Sequence, residues 1–77
     1  MEEEAVVVCY SGHRYAEEPQ RFTVGGREHQ VARVLRAWQE PEGPAFLVED
    51  EEGTRWRLRY EEGRGLWFCR PVRRRGV

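Results

Sequence analysis

The sequence predicts a small, mainly β protein in which five or six short antiparallel strands curl into a partly open barrel. Three observations predict this class. Aromatic or aliphatic side chains alternate strictly with arginines from Thr54 to Tyr60, glycine-rich turns separate short apolar runs, and the 77 residues are enough for a single domain. A meander of this size has to limit the unpaired backbone groups at its edge strands, and a small SH3-like or similar barrel is the simplest way to do so.

The first part of the chain contains two strand candidates joined by a polar loop. Ala5 to Tyr10 is rich in valine and too short for a helix, which predicts a buried strand. Ser11 to Pro19 is polar and predicts a loop. Gln20 to Val24 alternates polar and apolar residues, and the pair Gly25-Gly26 supplies the positive φ angles of a two-residue hairpin turn. We therefore expect the next segment to run back antiparallel.

The segment from Arg27 to Trp38 carries two conflicting patterns. Its apolar residues have the spacing of one helix face, at Val31, Val34, Leu35 and Trp38. The hairpin turn before the segment and the lack of an N-cap residue favour a strand instead, in which one bulge near Arg33 shifts the register so that both halves face the core. A long bulged strand is the preferred interpretation. An antiparallel sheet with one helix around Val31–Trp38 is the alternative.

The second part of the chain predicts three more strands with short connections between them. The strands are Ala45–Asp50, Thr54–Tyr60 and Leu66–Val72, and the loops or turns are Glu40–Pro44, Glu51–Gly53 and Glu61–Gly65. Pro71 lacks a backbone donor and therefore indicates an edge position for the last strand. Residues 1–77 form one domain in this interpretation, with mobile ends at residues 1–4 and 73–77.

The segment from Thr54 to Tyr60 carries the clearest strand pattern in the chain. One set of alternate positions holds Trp56, Leu58 and Tyr60, and the other holds Arg55, Arg57 and Arg59. A strand with one face packed and one face in water has this period of two. We expect the rings to point into the core and the guanidinium groups to point outward.

The residues expected in the core and turns also resemble those of a known family. They are Arg21-Phe22, Gly26-Arg27, Val31, Val34-Leu35, Trp38, Phe46, Val48, Asp50, Gly53, Leu58 and Trp67. From about Ser11 to Trp67 the chain is similar to a family of small bacterial proteins of unknown function from actinobacteria and the Thermus–Deinococcus group. The resemblance implies a fold and no chemistry, since these are packing and turn positions. Relatives encoded near error-prone DNA polymerases favour nucleic acid as a partner.

Charge is distributed unevenly along the chain. All thirteen basic residues are arginine, and the net charge is −1. Residues 1–53 hold five arginines against twelve acids, a sum of −7, and residues 54–77 hold eight against two, a sum of +6. The net charge of the whole chain argues against a generic polyanion binder. The opposite charges of the two segments predict an electrostatically polarised molecule, unless the segments interleave in the fold. The lack of asparagine and the use of arginine with glutamate suit a heat-adapted protein, although such proteins are typically enriched in lysine, which this chain lacks. A GC-rich genome would produce the same composition.

The sequence favours a cytoplasmic protein without membrane association. No apolar stretch approaches the roughly 20 residues that span a bilayer. The acidic start Glu2-Glu3-Glu4 is the opposite of a secretory signal. Cys9 and Cys69 are too far apart for a short redox or zinc motif, so we expect buried reduced thiols, with a disulfide between them as the alternative.

The sequence contains no catalytic signature, and we expect no enzyme activity, no cofactor and no metal site. Ser11 and His13 place a hydroxyl near an imidazole, but neighbours in a loop rarely point at each other. Cys9, His13, His29 and Cys69 lack the short-spaced pair that begins a zinc site.

The arginines of the second part form the best candidate for a binding site. Arg55, Arg57 and Arg59 on one strand face would lie roughly 6.6–7 Å apart, close to the spacing of phosphates along a nucleic-acid strand. The other candidates are Arg64, Arg70, Arg73, Arg74 and Arg75, with Tyr15, Trp38 or Trp67 as an exposed ring that stacks on a base. In the opposing interpretation the arginines pair with acids on neighbouring strands, at Glu49, Glu51, Glu61 and Glu62.

Two hypotheses about function follow. The first is a non-enzymatic binding module whose partner is single-stranded or double-stranded nucleic acid. The alternative is a protein-interaction adaptor or a homodimer that uses an open sheet edge. The candidate edges are Ala5 to Tyr10 and the last strand up to Pro71.

Overall fold

The computed structural model describes residues 2–9 and 18–72, and these form six antiparallel strands with no helix among them. The strands are β1 (Glu3–Cys9), β2 (Pro19–Val24), β3 (Arg27–Glu40), β4 (Gly43–Asp50), β5 (Arg55–Glu61) and β6 (Leu66–Val72). Each strand pairs with the next along the chain, and β1 also pairs with β6. The predicted small antiparallel β-barrel is confirmed, and its ring of strands is closed where we expected it to be partly open.

β3 is a long bulged strand. It pairs with β2 up to Gln30 and with β4 from Val31 onward. The register shifts between Val31 and Arg33 and again between Val34 and Arg36, so there are two irregularities where one was predicted. Each shift adds a residue without an opposite neighbour, which gives the apolar residues of a strand the spacing of a helix. The strand interpretation is confirmed, and the helical alternative is wrong.

β1 differs from the prediction in its first residue and in its burial. It begins at Glu3 rather than at Ala5, so part of the expected mobile leader belongs to a strand. Ala5 is buried, whereas the side chains of Val6 and Val8 are 68% and 37% exposed. Alternate residues of a strand point to opposite faces. The valine run is therefore a half-buried strand and not a buried one.

The first and last strands, both candidates for an open edge, pair with each other. Residues 3–5 of β1 lie opposite residues 67–69 of β6. Pro71 lies beyond the last of these pairs, where its missing N–H costs no bond to β1. Pro71 is therefore paired with β5 alone, whereas the central residues of β6 are paired with both β1 and β5.

The hydrophobic core fills the inside of the ring. Its buried residues are Ala5, Phe22, Phe46, Val48, Leu58, Trp67 and Cys69. On β5, Leu58 is fully buried, and Trp56 and Tyr60 pack against the core from either side of it. The predicted inward face of β5 is confirmed.

Three glycines shape two of the turns. Gly25 and Gly26 have φ angles of 59° and 78°, as the predicted two-residue hairpin between β2 and β3 requires. The connection between β3 and β4 is tighter than the predicted loop, since only Pro41 and Glu42 lie outside the strands. Gly43, which follows them, packs so closely on the backbone carbonyl of Tyr60 that a Cβ there would collide with it.

Candidate nucleic-acid interface

The outer face of strands β3 to β6 collects arginines from three different strands. Arg36 lies opposite Leu47, Leu47 opposite Arg57, and Arg57 opposite Arg70. Opposite residues in antiparallel strands share a face, so Arg36, Arg57 and Arg70 form one line across the sheet, which we call the arginine row. Neighbouring strands lie about 4.8 Å apart, and the row therefore spans roughly 14 Å.

Arg55 and Arg59 flank the arginine row on the same face of β5. Each is two residues from Arg57, a separation of about 6.6–7 Å along a strand. The structure thus places four of the predicted site residues, Arg55, Arg57, Arg59 and Arg70, on one face. Arg36 joins them and was not predicted.

Carboxylates neutralise part of this face. Arg57 pairs with Glu40 at 2.5 Å. Arg59 donates from Nε and Nη2 to the two oxygens of Glu2, each at 2.7 Å, and from Nη1 to Glu61 at 2.8 Å. The side chain of Arg57 is 28% exposed and that of Arg59 is 19% exposed. These arginines are therefore half-buried in ion pairs, not fully in water as the alternation suggested.

The pKa shifts agree with these contacts. The hydrogen bond from Arg59 holds the pKa of the Glu2 carboxyl below its ordinary value. Hydrogen bonds from the Trp38 indole and then from Arg57 lower the pKa of Glu40 in spite of burial. In return, Glu2 raises the pKa of Arg59 above that of an ordinary arginine. These groups are charged at neutral pH, so the pairs persist there.

Three arginines of the face have no carboxylate within ion-pair distance in the part of the chain that the structure describes: Arg36, Arg55 and Arg70. Arg36 lies over the Trp38 ring, with its guanidinium carbon 5.5 Å from the ring centroid. The Nε of Arg55 is shielded from solvent and has no hydrogen-bond partner there. Arg70 is exposed. The face therefore keeps positive charge that its acids do not neutralise.

The remaining predicted residues divide into three groups. Arg64 lies in the β5–β6 turn, pairs with Glu61 at 2.6 Å, and stands over the Phe68 ring, as Arg59 does. Trp67 is only 8% exposed and packs against Phe46 and Tyr60, so its proposed role as a ring that stacks on a base is wrong. The last group, which lies outside the described residues, is Tyr15, Arg73, Arg74 and Arg75.

The prediction that acids pair with the arginines is correct in kind, and two of the partners are acids that were not expected. Glu61 contacts Arg59, as expected. Glu49 pairs with Arg33 at 2.7 Å. The other partners on this face, Glu2 and Glu40, were not predicted, because they come from the start of β1 and the end of β3. Their proximity depends on closure of the barrel, which no local pattern shows.

A buried carboxylate near one end of the barrel is the feature that sequence reasoning missed. Asp50 is 3% exposed and ends β4. Its Oδ1 accepts hydrogen bonds from the backbone N–H groups of Glu52 and Thr54, both at 2.9 Å. Its Oδ2 accepts one from Trp56 Nε1 at 3.0 Å and lies 3.3 Å from Nδ1 of His29. A single Asp at the end of an apolar strand, before Glu51-Glu52-Gly53, was the available signal.

Within residues 2–9 and 18–72 no group of three His, Cys, Asp or Glu side chains is placed to hold a metal ion. Ser11 and His13 lie outside those residues. Cys9 and Cys69 are both thiols, not joined by a disulfide, and Cys69 is buried as expected. Burial, with the charges of Glu3 and Glu2, raises the pKa of the Cys69 thiol to about 11.

Comparison with known proteins gives no relative from which a function could be transferred. No protein-family model, no curated protein and no solved structure matches this chain. Among the described residues there is also no helix long and apolar enough to cross a membrane. The interpretation of the site therefore depends on its own geometry.

Proposed function

We propose that this chain is a non-enzymatic binding module that holds the phosphate backbone of a nucleic acid on the arginine row. The observation that carries the proposal is the placement of Arg36 and Arg70 at the two ends of the row, without carboxylate partners among the described residues. Arg55 adds a third such guanidinium beside the row. Phosphate contacts of this kind supply most of the affinity of non-specific nucleic-acid binding.

Single-stranded nucleic acid fits this face better than a duplex does. The row is roughly 14 Å long, which matches a few nucleotides of an extended strand. Trp38 lies on the same face under Arg36 and is half-buried, so part of its ring is accessible for stacking on a base. We therefore expect short single strands to bind at least as tightly as duplexes of the same length.

Fluorescence anisotropy with short labelled oligonucleotides tests the proposal. The wild-type chain should bind at low salt, and its affinity should fall linearly with the logarithm of the salt concentration. The double variant Arg36→Ala/Arg70→Ala should bind at least about tenfold more weakly. Each lost phosphate contact should also reduce the slope of the salt dependence by about 0.7 for single strands.

The matched control removes one arginine from β2, which lies across the closed ring from β5. Arg21 lies on β2 and pairs with Glu28 at 3.0 Å. Arg21→Ala makes the same change in net charge as Arg36→Ala or Arg70→Ala alone and should leave the affinity nearly unchanged, whereas each of those single variants should weaken binding. Equal losses in the three single variants would show a general charge effect and reject the arginine row as the site.

The alternative hypothesis, a protein contact at an open sheet edge, has less support. The two strands proposed as edges pair with each other in the closed ring. We further propose that the chain acts in the cytoplasm, in keeping with two cysteines that are not joined by a disulfide.

A further inference from the structure

A pocket of about 420 Å³ opens at one end of the barrel. It lies between the β2–β3 hairpin and the β4–β5 turn, and its walls include Glu3, Arg27, His29, Glu52, Thr54 and Trp56. We call it the barrel-mouth pocket. Its volume falls within the range of small-ligand sites, about 300–1,000 Å³.

The aromatic wall of the pocket is held in a fixed arrangement. The His29 ring is stacked on Phe22, with centroids 5.1 Å apart, and lies 4.8 Å from the Trp56 ring. Asp50 contacts a ring nitrogen of each of these two side chains, since its Oδ2 accepts a hydrogen bond from Trp56 Nε1 and lies 3.3 Å from His29 Nδ1. A ligand would therefore meet a wall that needs no ordering on binding.

Hydrogen bonds fix the polarity of this wall. Burial alone would raise the pKa of the Asp50 carboxyl, but bonds from Thr54, Trp56, Glu52 and His29 outweigh it and lower that pKa. Because an ionised carboxylate only accepts, His29 Nδ1 carries the proton in its bond to Asp50. The other ring nitrogen, Nε2, takes no part in this bond.

The rim of the pocket offers acceptors more than donors. The Glu3 carboxylate reaches over the hairpin turn at Gly25 and has no hydrogen-bond or ion-pair partner among the described residues. Among the described lining residues the one guanidinium, that of Arg27, is already paired with Glu52 at 3.1 Å. Such a site favours a flat group that donates hydrogen bonds through N–H.

We propose that the barrel-mouth pocket binds a nucleobase that carries an exocyclic amino group. The proposal rests on the proposed function and adds a base preference to it. The pocket lies next to the face that carries the arginine row, because the lining residues Thr54 and Pro71 are neighbours of Arg55 and Arg70 in the chain. A nucleic-acid strand bound at the Arg70 end of the row can place a base over the rim and into the pocket.

The acceptor-rich lining distinguishes among the bases. The amino groups of cytosine, adenine and guanine can donate to the Glu3 carboxylate, as carboxylates in proteins accept from cytosine N4. Uracil and thymine place carbonyl oxygens at the corresponding positions and can donate to the carboxylate only through N3–H, which brings a carbonyl oxygen close to the carboxylate oxygens. The expected preference for cytidine over uridine is roughly tenfold.

Nucleosides test this pocket separately from the arginine row, because they carry no phosphate. In an NMR titration, cytidine and adenosine should shift the assigned Nε1–H resonance of Trp56 and the amides of Gly25 and Thr54, and uridine should do so about tenfold more weakly. Glu3→Gln should remove the preference, since the Gln amide both donates and accepts. Glu28→Gln, which changes a carboxylate of the β2–β3 hairpin outside the pocket, should leave the preference unchanged.

Three outcomes would overturn the inference. The first is the absence of any shift at the pocket with either nucleoside, and the second is equal affinity for cytidine and uridine. The third is a shift with methylguanidinium but with no nucleoside, which would make the pocket a site for cations. Each leaves the proposed function standing if oligonucleotides still bind through Arg36 and Arg70. Loss of oligonucleotide binding with retained nucleoside preference would reject the arginine row alone.

Discussion

The indole Nε1 of Trp56 donates a 3.0 Å hydrogen bond to Oδ2 of Asp50, and this contact joins the end of β4 to the start of β5. The same carboxylate accepts from the backbone of Glu52 and Thr54 and so closes the turn between the two strands. Through His29 it also reaches β3. One buried acid therefore fixes the turn, a core ring and a wall of the pocket at the same time.

Replacing Asp50 should destabilise the fold strongly. Asp50→Asn places an amide among groups that all donate, so at least one buried donor loses its acceptor. We expect a loss of about 2–4 kcal/mol in the free energy of unfolding, measured by urea denaturation. Glu51→Gln, at the exposed neighbouring position, should change it by less than about 0.5 kcal/mol.

The Asp50 contacts also predict a dependence of stability on pH. The folded-state pKa of Asp50 lies below its ordinary value, so its contribution is fully present above the unfolded pKa of about 3.9. That contribution is lost as the pH falls through the lower, folded value. Wild-type stability should therefore decline more steeply than that of Asp50→Asn under acid conditions. Parallel curves for the two proteins would contradict this account.

Gly43→Ala should be costly although it adds a single methyl group. Gly43 has a φ of 154°, and the new Cβ would collide with the backbone carbonyl of Tyr60. We expect a loss of more than about 1 kcal/mol, measured by thermal or urea unfolding. Gly63 provides the control, since a Cβ there meets nothing within 4 Å. A tolerated Gly43→Ala would show that β4 and β5 approach each other less closely at this point.

The bond between Arg59 and Glu2 should couple the start of β1 to β5 energetically. In a double-mutant cycle of Arg59→Met and Glu2→Gln, we expect a coupling energy above about 1 kcal/mol, since the pair is bidentate and half-buried. The cycle of Arg27 and Glu52, whose side chains are 68% and 66% exposed, should give less than about 1 kcal/mol. Similar coupling energies in the two cycles would mean that burial does not strengthen the ion pair.

The Cys69 thiol should be inert in the folded protein. Its pKa is raised to about 11, and its side chain is 1% exposed. In a Cys9→Ser variant, alkylation by iodoacetamide at mildly alkaline pH should be slow and should rise sharply only on unfolding. The Cys69→Ser variant, which keeps the half-buried Cys9, should react faster. Fast alkylation of folded Cys9→Ser would show that the barrel opens readily at β6.

Short-range alternation was enough to predict the strands and the inward face of β5. The same rule, applied to β6, would also have placed Trp67 in the core, because it lies two residues from Cys69, which we expected to be buried. The place of Arg36 in the arginine row could not be predicted, since the two bulges in β3 decide which face of the sheet Arg36 occupies. The partners of Arg57 and Arg59 depend on closure of the ring, which is a long-range property.

Chemical-shift mapping of the arginine side chains with a short single-stranded oligonucleotide tests the central claim most directly. At about 50 mM salt, where phosphate contacts are strong, the Nε–H resonances of Arg36 and Arg70 should shift, and that of Arg21 should not. Raising the salt should reverse the shifts. No shift at any arginine, or a shift confined to Arg21, would contradict the assignment of this face as a nucleic-acid interface.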